Sequence, residues 1–509
     1  MDSTTIAAID IGANMIRMTI AQVEPDSSYE ILEQLNRGIR LGQDTFCSNR
    51  ISADSMRGAV AIFRDFKRLI DHYQVRQIRC VATTAVREAI NADTFLDRIF
   101  MASGIQVEIL DPSEESHLIL TAVLNTTKNQ ERVKTGKVLI AEVGGGNTLL
   151  TVLNDGKLVN SICVNTGTIR LRERYFSPDI EPGQYVQRIE SHVENTMFST
   201  EGTLHLDGIN TFIVVGGDAK YILSRLKILE QDNDFTALPR KKFEQLFGIL
   251  TRKSEFDLTR DFQIPSDNAQ RLIPASIIYR YLFRLTKLDA LWVSPTAMRD
   301  GLVLSMAWNI AGLEDKTFSD SVIDSARALG EKYLVDLNHS CQIADLSTRL
   351  YDMFTDLHGL KPRHRLILYV AALLHEAGFF LNSRAHHKHS YYLIANSDIF
   401  GLSRPEIEIV AQVARYYRKS APKVTHETYM ALPREQRVIV SKLAAFLRVA
   451  DAITQGSSDK LNVDLVRDND DLHIVCPSGV DPALTRRNLA YQGKLFEDIY
   501  GVRLLLDER

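Results

Sequence analysis

An apolar run, Leu139–Val143, carries one acid, Glu142, and empties into Gly144, Gly145 and Gly146 before a second apolar run begins at Thr148. Three residues without Cβ allow a turn to bring backbone N–H groups close to an anion. An acid beside such a turn can hold a divalent cation against the same anion, so LIAEVGGGNTLLTV reads as a phosphate cradle. AIDIGANMIRMTI repeats the plan at an offset of 132 residues: Asp10 overlies Glu142, Gly12 overlies Gly144, and the apolar runs that follow overlie each other. A third glycine turn, Gly216 and Gly217, ends the apolar stretch of TFIVVGGDAKYIL. Facing acids on glycine turns suit phosphate chemistry, with amides on the phosphoryl oxygens and a cation between the carboxylates.

Positioning two such turns requires a duplicated α/β scaffold. Residues 5–24 predict strand, tight turn and strand, and an amphipathic helix follows near Ala53–His72. IRCVATTAVREAIN predicts a strand that ends near Thr83, Thr84 and Arg87, where open α/β sheets bind ligands. VEILDPSEESHLILTAVL predicts a strand, a turn at Asp111 and Pro112, and a helix with Glu114 and Glu115 in its first turn, where acids suit the helix dipole. LWVSPTAMRDGLVLSMA adds a further strand, turn and helix. From about Ser319 to Gln455 the pattern becomes almost wholly helical, and the last fifty residues return to alternation, with a hairpin around Asn469 and Asp470 and a terminal strand in GVRLLLD. The expected organisation is two similar α/β parts at 1–125 and 126–310, an all-α part at 311–458 and a small α/β part at 459–509.

Composition narrows the class. The chain has 509 residues, 45% of them hydrophobic and 24% charged, with a formal net charge of −4. That balance gives no global attraction to nucleic acid or to an anionic membrane, so a polyanion would need a local basic patch. The five cysteines, Cys47, Cys80, Cys163, Cys341 and Cys476, are scattered and in no metal-ligand spacing, which suggests reduced thiols in a cytoplasmic setting. No leader-like N-terminal segment and no run of about 18 apolar residues is visible, so a soluble chain is expected.

The runs AAIDIGANMIRM, RGIRLGQ, VATTAVREAINADTFLDRI, SEESHLI, EVGGGNT, NTGTIRLRERY, MRDGL, LLHEAGF, HHKHSYYLIANSD and YYRKSAPK keep one order over nearly the whole chain. In them the chain resembles the exopolyphosphatase and guanosine pentaphosphate phosphatase (Ppx/GppA) family. The resemblance implies an actin-like (ribonuclease H-like) ATPase-type duplicated half, related to sugar kinases and heat-shock ATPases, then an HD-like helical domain. It also implies release of terminal phosphate from inorganic polyphosphate or guanosine pentaphosphate, in a homodimer. By the same resemblance Glu115, second acid of the EE pair, is the general base, and Mg²⁺ sits at Asp10 and Glu142. Gly12, Asn14, Arg87, Gly144, Gly145, Gly146, Asn147, Gly216 and Gly217 would contact phosphate, with Arg170 a weaker candidate. Such hydrolysis needs an aligned water, a carboxylate to deprotonate it and positive charge on the equatorial oxygens.

Two further constellations stand in the helical part. His339, His375 with Glu376, and Asp451 resemble the ligand order of HD phosphohydrolases, with Glu376 where the central Asp belongs; a vestigial metal site and an HD-type metal phosphohydrolase are the readings. Arg384, His387, Lys388, His389, Arg415, Arg418 and Lys419 fall in two short segments and could line a polyanion channel. The chain also departs from the family pattern, which has Asp at Glu142, Ser at Asn147, Ala13 and Met15, and an acid at Leu149. These losses support a second class of function, a polyphosphate- or nucleotide-binding regulatory protein with weakened turnover.

Overall fold

The computed structural model describes residues 3–126, 130–177, 179–204, 206–228, 234–313, 316–455, 463–475 and 481–507. The chain divides into two compact units, Met1–Phe318 and Ser319–Arg509.

The first unit begins with β1 (Thr4–Ile11), β2 (Met15–Val23) and β3 (Tyr29–Gly38), then α1 (Leu41–Ser48), α2 (Ala53–His72), β4 (Gln77–Ala82), α3 (Thr84–Arg87), α4 (Ala92–Ser103), β5 (Val107–Ile109) and α5 (Pro112–Leu124). The strands form one sheet in the order β3-β2-β1-β4-β5. β1 is buried continuously from Ile6 to Ile11, as a central strand covered on both faces must be. Ser52 caps α2 by accepting from Ser55 N, and Met56, Ala59, Phe63, Phe66 and Ile70 turn one face of that helix into the core.

After α6 (Gln130–Lys134) the plan recurs. It comprises β6 (Lys137–Val143), β7 (Thr148–Asn154), β8 (Lys157–Val164), α7 (Thr168–Tyr175), α8 (Pro182–Leu204), β9 (Thr211–Val215) and α9 (Gly217–Arg225). β10 (Thr236–Pro239), α10 (Arg240–Leu250), α11 (Glu255–Phe262), α12 (Ser266–Thr286), β11 (Ala290–Val293) and α13 (Met298–Ile310) follow. The second sheet runs β10-β11-β9-β6-β7-β8. Without β10 it repeats the first sheet strand for strand, antiparallel and parallel pairings included. The repeat extends to single bonds: Gly12 N donates to Met15 O at 2.9 Å and Gly144 N to Asn147 O at 2.9 Å. α13 does not stay with the second sheet. Its Leu302, Val303, Met306 and Ala307 join Ile6, Ala8, Val81 and Leu118 in one apolar cluster on the first.

The second unit contains α14 (Lys316–Lys332), α15 (Leu337–Met353), α16 (Thr355–His358), α17 (Pro362–Leu374), a 3-10 turn at Ala377–Phe380, α18 (His386–Ala395), α19 (Arg404–Tyr416), α20 (Glu427–Met430) and α21 (Arg434–Thr454). α21 is buried on every side from Leu443 to Thr454 and forms the axis of the bundle. A hairpin, β12 (Asp464–Asp468) and β13 (Asp471–Val475), then α22 (Pro482–Gln492), α23 (Lys494–Tyr500) and β14 (Arg503–Asp507) complete a three-stranded sheet in the order β12-β13-β14. Among the described residues no helix is long and apolar enough to cross a membrane. Cys47, Cys80, Cys163 and Cys341 are free thiols, and Cys476 lies outside the described residues.

Candidate active site

The glycine turns converge on one cavity of about 400 Å³ in the first unit. Its wall takes Asp10, Gly12, Asn14 and Met15 from the first half, Glu115 from α5, and Glu142 with Gly144–Asn147 from the second half. Gly216, Gly217 and Asp218 close it at the start of α9. Gly216 has φ +129, a conformation that a side chain would strain.

Glu115 sits in the first turn of α5, which Pro112 opens and where the Glu114 carboxylate accepts from Asp111 N at 2.9 Å. The helix does not present Glu115 to solvent: the residue is 4% exposed. Burial pushes its carboxyl up to about 7, against the opposing pull of the Arg87 guanidinium and its hydrogen bond. Arg87 Nη1 donates to Glu115 Oε1 at 2.5 Å and to Leu110 O at 2.5 Å, and Nη2 donates to Thr84 Oγ1 at 3.1 Å. Read from the sequence as a phosphate contact, Arg87 stands behind the cavity wall with its guanidinium committed to the glutamate.

The two acids of the repeat occupy matching ladder positions with unlike partners. Asp10 lies opposite Arg17, whose Nη1 donates to Asp10 Oδ2 at 3.0 Å. Glu142 lies opposite Leu149. Burial raises the Glu142 carboxyl to about 8, helped by the charges of Glu115, Asp10 and Asp218 and opposed by Arg17. This crowd of acids is what a divalent cation would relieve. Among the described residues no group of three or more His, Cys, Asp or Glu is arranged to hold a metal. Mg²⁺ commonly takes one or two carboxylates and completes its shell with water and substrate phosphate, so Asp10 and Glu142 fit that mode and not a closed protein cage.

Residues that the sequence reading missed supply the remaining charge. Asp218 is 6% exposed and pairs with Arg271 of α12 at 3.2 Å. Lys220, Arg271, Arg17 and Arg299 also line the cavity, so a negative chain entering it would meet four cations from four elements. Asp218 had a signal, since it directly follows the third glycine turn; Arg17 had another, as the repeat partner of Leu149.

The glycines also serve a purpose other than ligand approach. A Cβ on Gly145 would come 2.8 Å from the Ala13 methyl, and one on Gly146 would come 2.6 Å from Phe46 and 2.7 Å from Thr84. The space they leave is filled by Ala13, Phe46 and Thr84 of the opposite half and by Ile169 of α7. Asn147 is 3% exposed and donates from Nδ2 to Cys163 Sγ at 3.1 Å. Arg170, like Arg87, is not in the cavity wall: Nε donates to Gly146 O at 2.7 Å.

In the second unit, Lys388 of α18, Arg415 of α19 and Lys419 just beyond it lie close enough to act on His387. His387 is pushed down to about 4 by burial and by the charges of Lys419, His386, Lys388 and Arg415. Arg415 Nη1 donates to Thr428 Oγ1 at 2.6 Å. Arg384, Lys388 and Lys419 are exposed, while His389 and Arg418 are half-buried. His375 is fully buried, with Nδ1 2.6 Å from Ala372 O and its ring edge-on to Tyr417. Asp451 is 4% exposed and burial raises its carboxyl to about 7, while Glu376 and His339 are half-buried nearby.

The model of the Ppx/GppA phosphatase family matches residues 19–309, and that of Ppx/GppA phosphatase domain III matches residues 323–492. The chain belongs to the Ppx/GppA phosphatase family. Its fold is similar to that of the Aquifex aeolicus family member, at 23% identity and TM-score 0.51, over 60% of this chain and 99% of that one. It is similar also to an exopolyphosphatase from Cytophaga hutchinsonii, at 18% identity and TM-score 0.55, over 61% of this chain and 99% of that one.

Proposed function

We propose that the chain is a phosphohydrolase that releases terminal phosphate from inorganic polyphosphate, guanosine pentaphosphate or both, with Glu115 as general base. The observation that carries this reading is a buried carboxyl in the cavity wall whose pKa is raised to about 7 while a guanidinium holds it in place. A base poised near the working pH is half ionised and still able to take a proton. Arg87 engages Oε1 of Glu115, and in this reading Oε2 is the oxygen that orients the water. The loop amides, Arg17, Lys220, Arg271 and Arg299 provide the positive surroundings that the equatorial oxygens need. Mg²⁺, held at Asp10 and Glu142 and shared with the substrate, would neutralise charge on the leaving phosphate oxygens. Glu142, raised to about 8 without a cation, would have to give up its proton to serve.

A second reading, a binding protein with weak turnover, is favoured by Leu149 opposite Glu142. Asp451 is likewise a buried carboxyl raised to about 7, but neither it nor His375 lines the cavity of the glycine turns. Phosphate release from long-chain polyphosphate and from guanosine pentaphosphate, with and without Mg²⁺, tests all three. In Glu115→Gln it should fall about 10²–10⁴-fold, and in His375→Ala it should persist. Release lost only in His375→Ala moves the chemistry to the helical unit. Polyphosphate binding without release in any variant establishes the binding protein.

A further inference from the structure

All three carbonyls of the glycine turn point at one helix end. Gly144 O accepts from Thr168 N at 2.9 Å, and Gly145 O accepts from Ile169 N at 2.9 Å and Arg170 N at 3.0 Å. Gly146 O has no backbone donor from α7 and takes the Arg170 side chain in its place, Nε at 2.7 Å. Across a planar trans peptide the next N–H points opposite to the carbonyl, so the amides of Gly145, Gly146 and Asn147 are turned away from α7. No residue of α7 is in the cavity wall, whereas Gly144–Asn147 are. α7 is therefore the back plate of the cradle. Gly167 lets it approach: a Cβ there would stand 2.2 Å from the Gly146 carbonyl carbon.

The grip on the last carbonyl is anchored in the other half. Arg170 Nη2 donates to both carboxylate oxygens of Glu88, each at 2.7 Å, and its guanidinium lies 4.3 Å from the Phe46 ring centre. Glu88 follows Arg87 directly, and Arg87 holds Glu115. Two consecutive residues at the end of α3 thus reach in two directions, one to the proposed base and one, through Arg170, to the proposed cradle. We infer that Glu88 and Arg170 are positioning residues that set the phosphate loop of the second half in register with the Arg87–Glu115 pair of the first. This inference rests on the phosphohydrolase reading. In-line attack depends on the distance between a water on Glu115 and a phosphorus on the loop, and a misplacement of about 1 Å can cost about 10²-fold in rate.

The test compares wild type with Glu88→Gln, Arg170→Lys, the double variant and Arg172→Lys. Arg172 is also on α7 but pairs with Glu173 and Glu255, away from the loop. For Glu88→Gln and Arg170→Lys, kcat on long-chain polyphosphate should fall about 10- to 100-fold. KM should change by less than about threefold, because a long chain reaches well beyond a cavity of about 400 Å³. The acid limb of the pH profile should stay in place, since Arg87 is intact. The double variant should be no slower than the slower single one, as one connection is broken only once. Arg172→Lys should retain kcat even where its Tm drops as far as theirs. Wild-type kcat in both folded single variants, or rate losses that multiply in the double variant, would overturn the inference. Should Arg170→Lys not fold, Glu88→Gln alone decides. If wild type releases no phosphate, the phosphohydrolase reading fails separately, and calorimetric binding of tripolyphosphate becomes the readout: binding weakened in both variants supports the registration, and unchanged binding rejects it.

Discussion

Leu149 stands directly across the β6–β7 ladder from Glu142, the position at which Arg17 faces Asp10 across β1–β2. Residues directly opposite in an antiparallel pair share a face of the sheet, so both Leu149 and Arg17 are turned to the side on which the acids meet the cavity. One half supplies its acid with a guanidinium at 3.0 Å and the other supplies a methyl-tipped chain that is 2% exposed. Restoring an acid by Leu149→Glu adds a carboxylate beside Glu142. Phosphate release at saturating Mg²⁺ should rise several-fold. Without Mg²⁺ the added buried charge has no partner, so Tm should drop and recover on titration with the cation. Rates equal to wild type at every Mg²⁺ concentration would show that position 149 does not bear on turnover.

Arg87 and Glu115 set the pH response. Glu115 must be ionised to accept a proton, so the rate should rise with pH, reach half its plateau near 7 and level off above. Because the Arg87 charge opposes the effect of burial, Arg87→Met should move that limb to higher pH as well as lower the plateau. Stability carries the opposite sign. The folded-state pKa lies above the ordinary value of 4.5, so between about 4.5 and 7 the folded state holds a proton that the unfolded state has lost, and stability falls as pH rises through that window. Glu115→Gln should make this portion of the urea midpoint against pH shallower, leaving the part that Glu142 and Asp451, raised to about 8 and about 7, contribute in the same direction. An unchanged slope would place the titration elsewhere.

Duplication was legible because it leaves a fixed offset, and the offset held down to the turn hydrogen bonds of Gly12 and Gly144. Glu115 is singled out only by the family resemblance of its EE run, and its burial is not legible at all, since a helix with acids in its first turn looks the same in sequence whether that turn faces solvent or a cleft. For Arg87, and more weakly Arg170, the family resemblance implies a phosphate contact. Their partners, Glu115, Glu88 and Gly146 O, come from other elements, and no local pattern records which of two available anions an arginine engages. Lys220, Arg271 and Arg299 escaped for a related reason: each is one basic residue on an ordinary helix, made part of the site only by the way α9, α12 and α13 end at the cavity.

Arg271 offers a test that separates binding from folding. It pairs at 3.2 Å with Asp218, and the two side chains are 18% and 7% exposed. Removing the guanidinium strands a buried carboxylate, so Arg271→Met should cost about 3–5 kcal/mol in urea unfolding. Asp218→Asn in the same chain should recover much of that loss, because no charge is left unpaired. Tripolyphosphate affinity should not recover with it, since the cavity still lacks the cation; its dependence on salt should be shallower than in wild type. Affinity restored along with stability would assign Arg271 to the fold alone.

Gly301 connects the packing of α13 to the position of the proposed base. A Cβ at this position would lie 1.9 Å from Leu118 O and 2.7 Å from Leu118 C, which are backbone atoms of α5 and cannot turn aside as a flexible side chain would. Gly301→Ala must therefore push the two helices apart. Overpacking of this kind typically costs about 1–3 kcal/mol. Glu115 lies one turn before Leu118 on the same helix, so its displacement should strain the 2.5 Å bond to Arg87. The expected result is a lower urea midpoint together with a lower kcat measured well below Tm, and an acid limb shifted upward as the guanidinium draws away. A lower midpoint with kcat and pH profile intact would show that the α5–α13 crossing supports the fold without setting the geometry of Glu115.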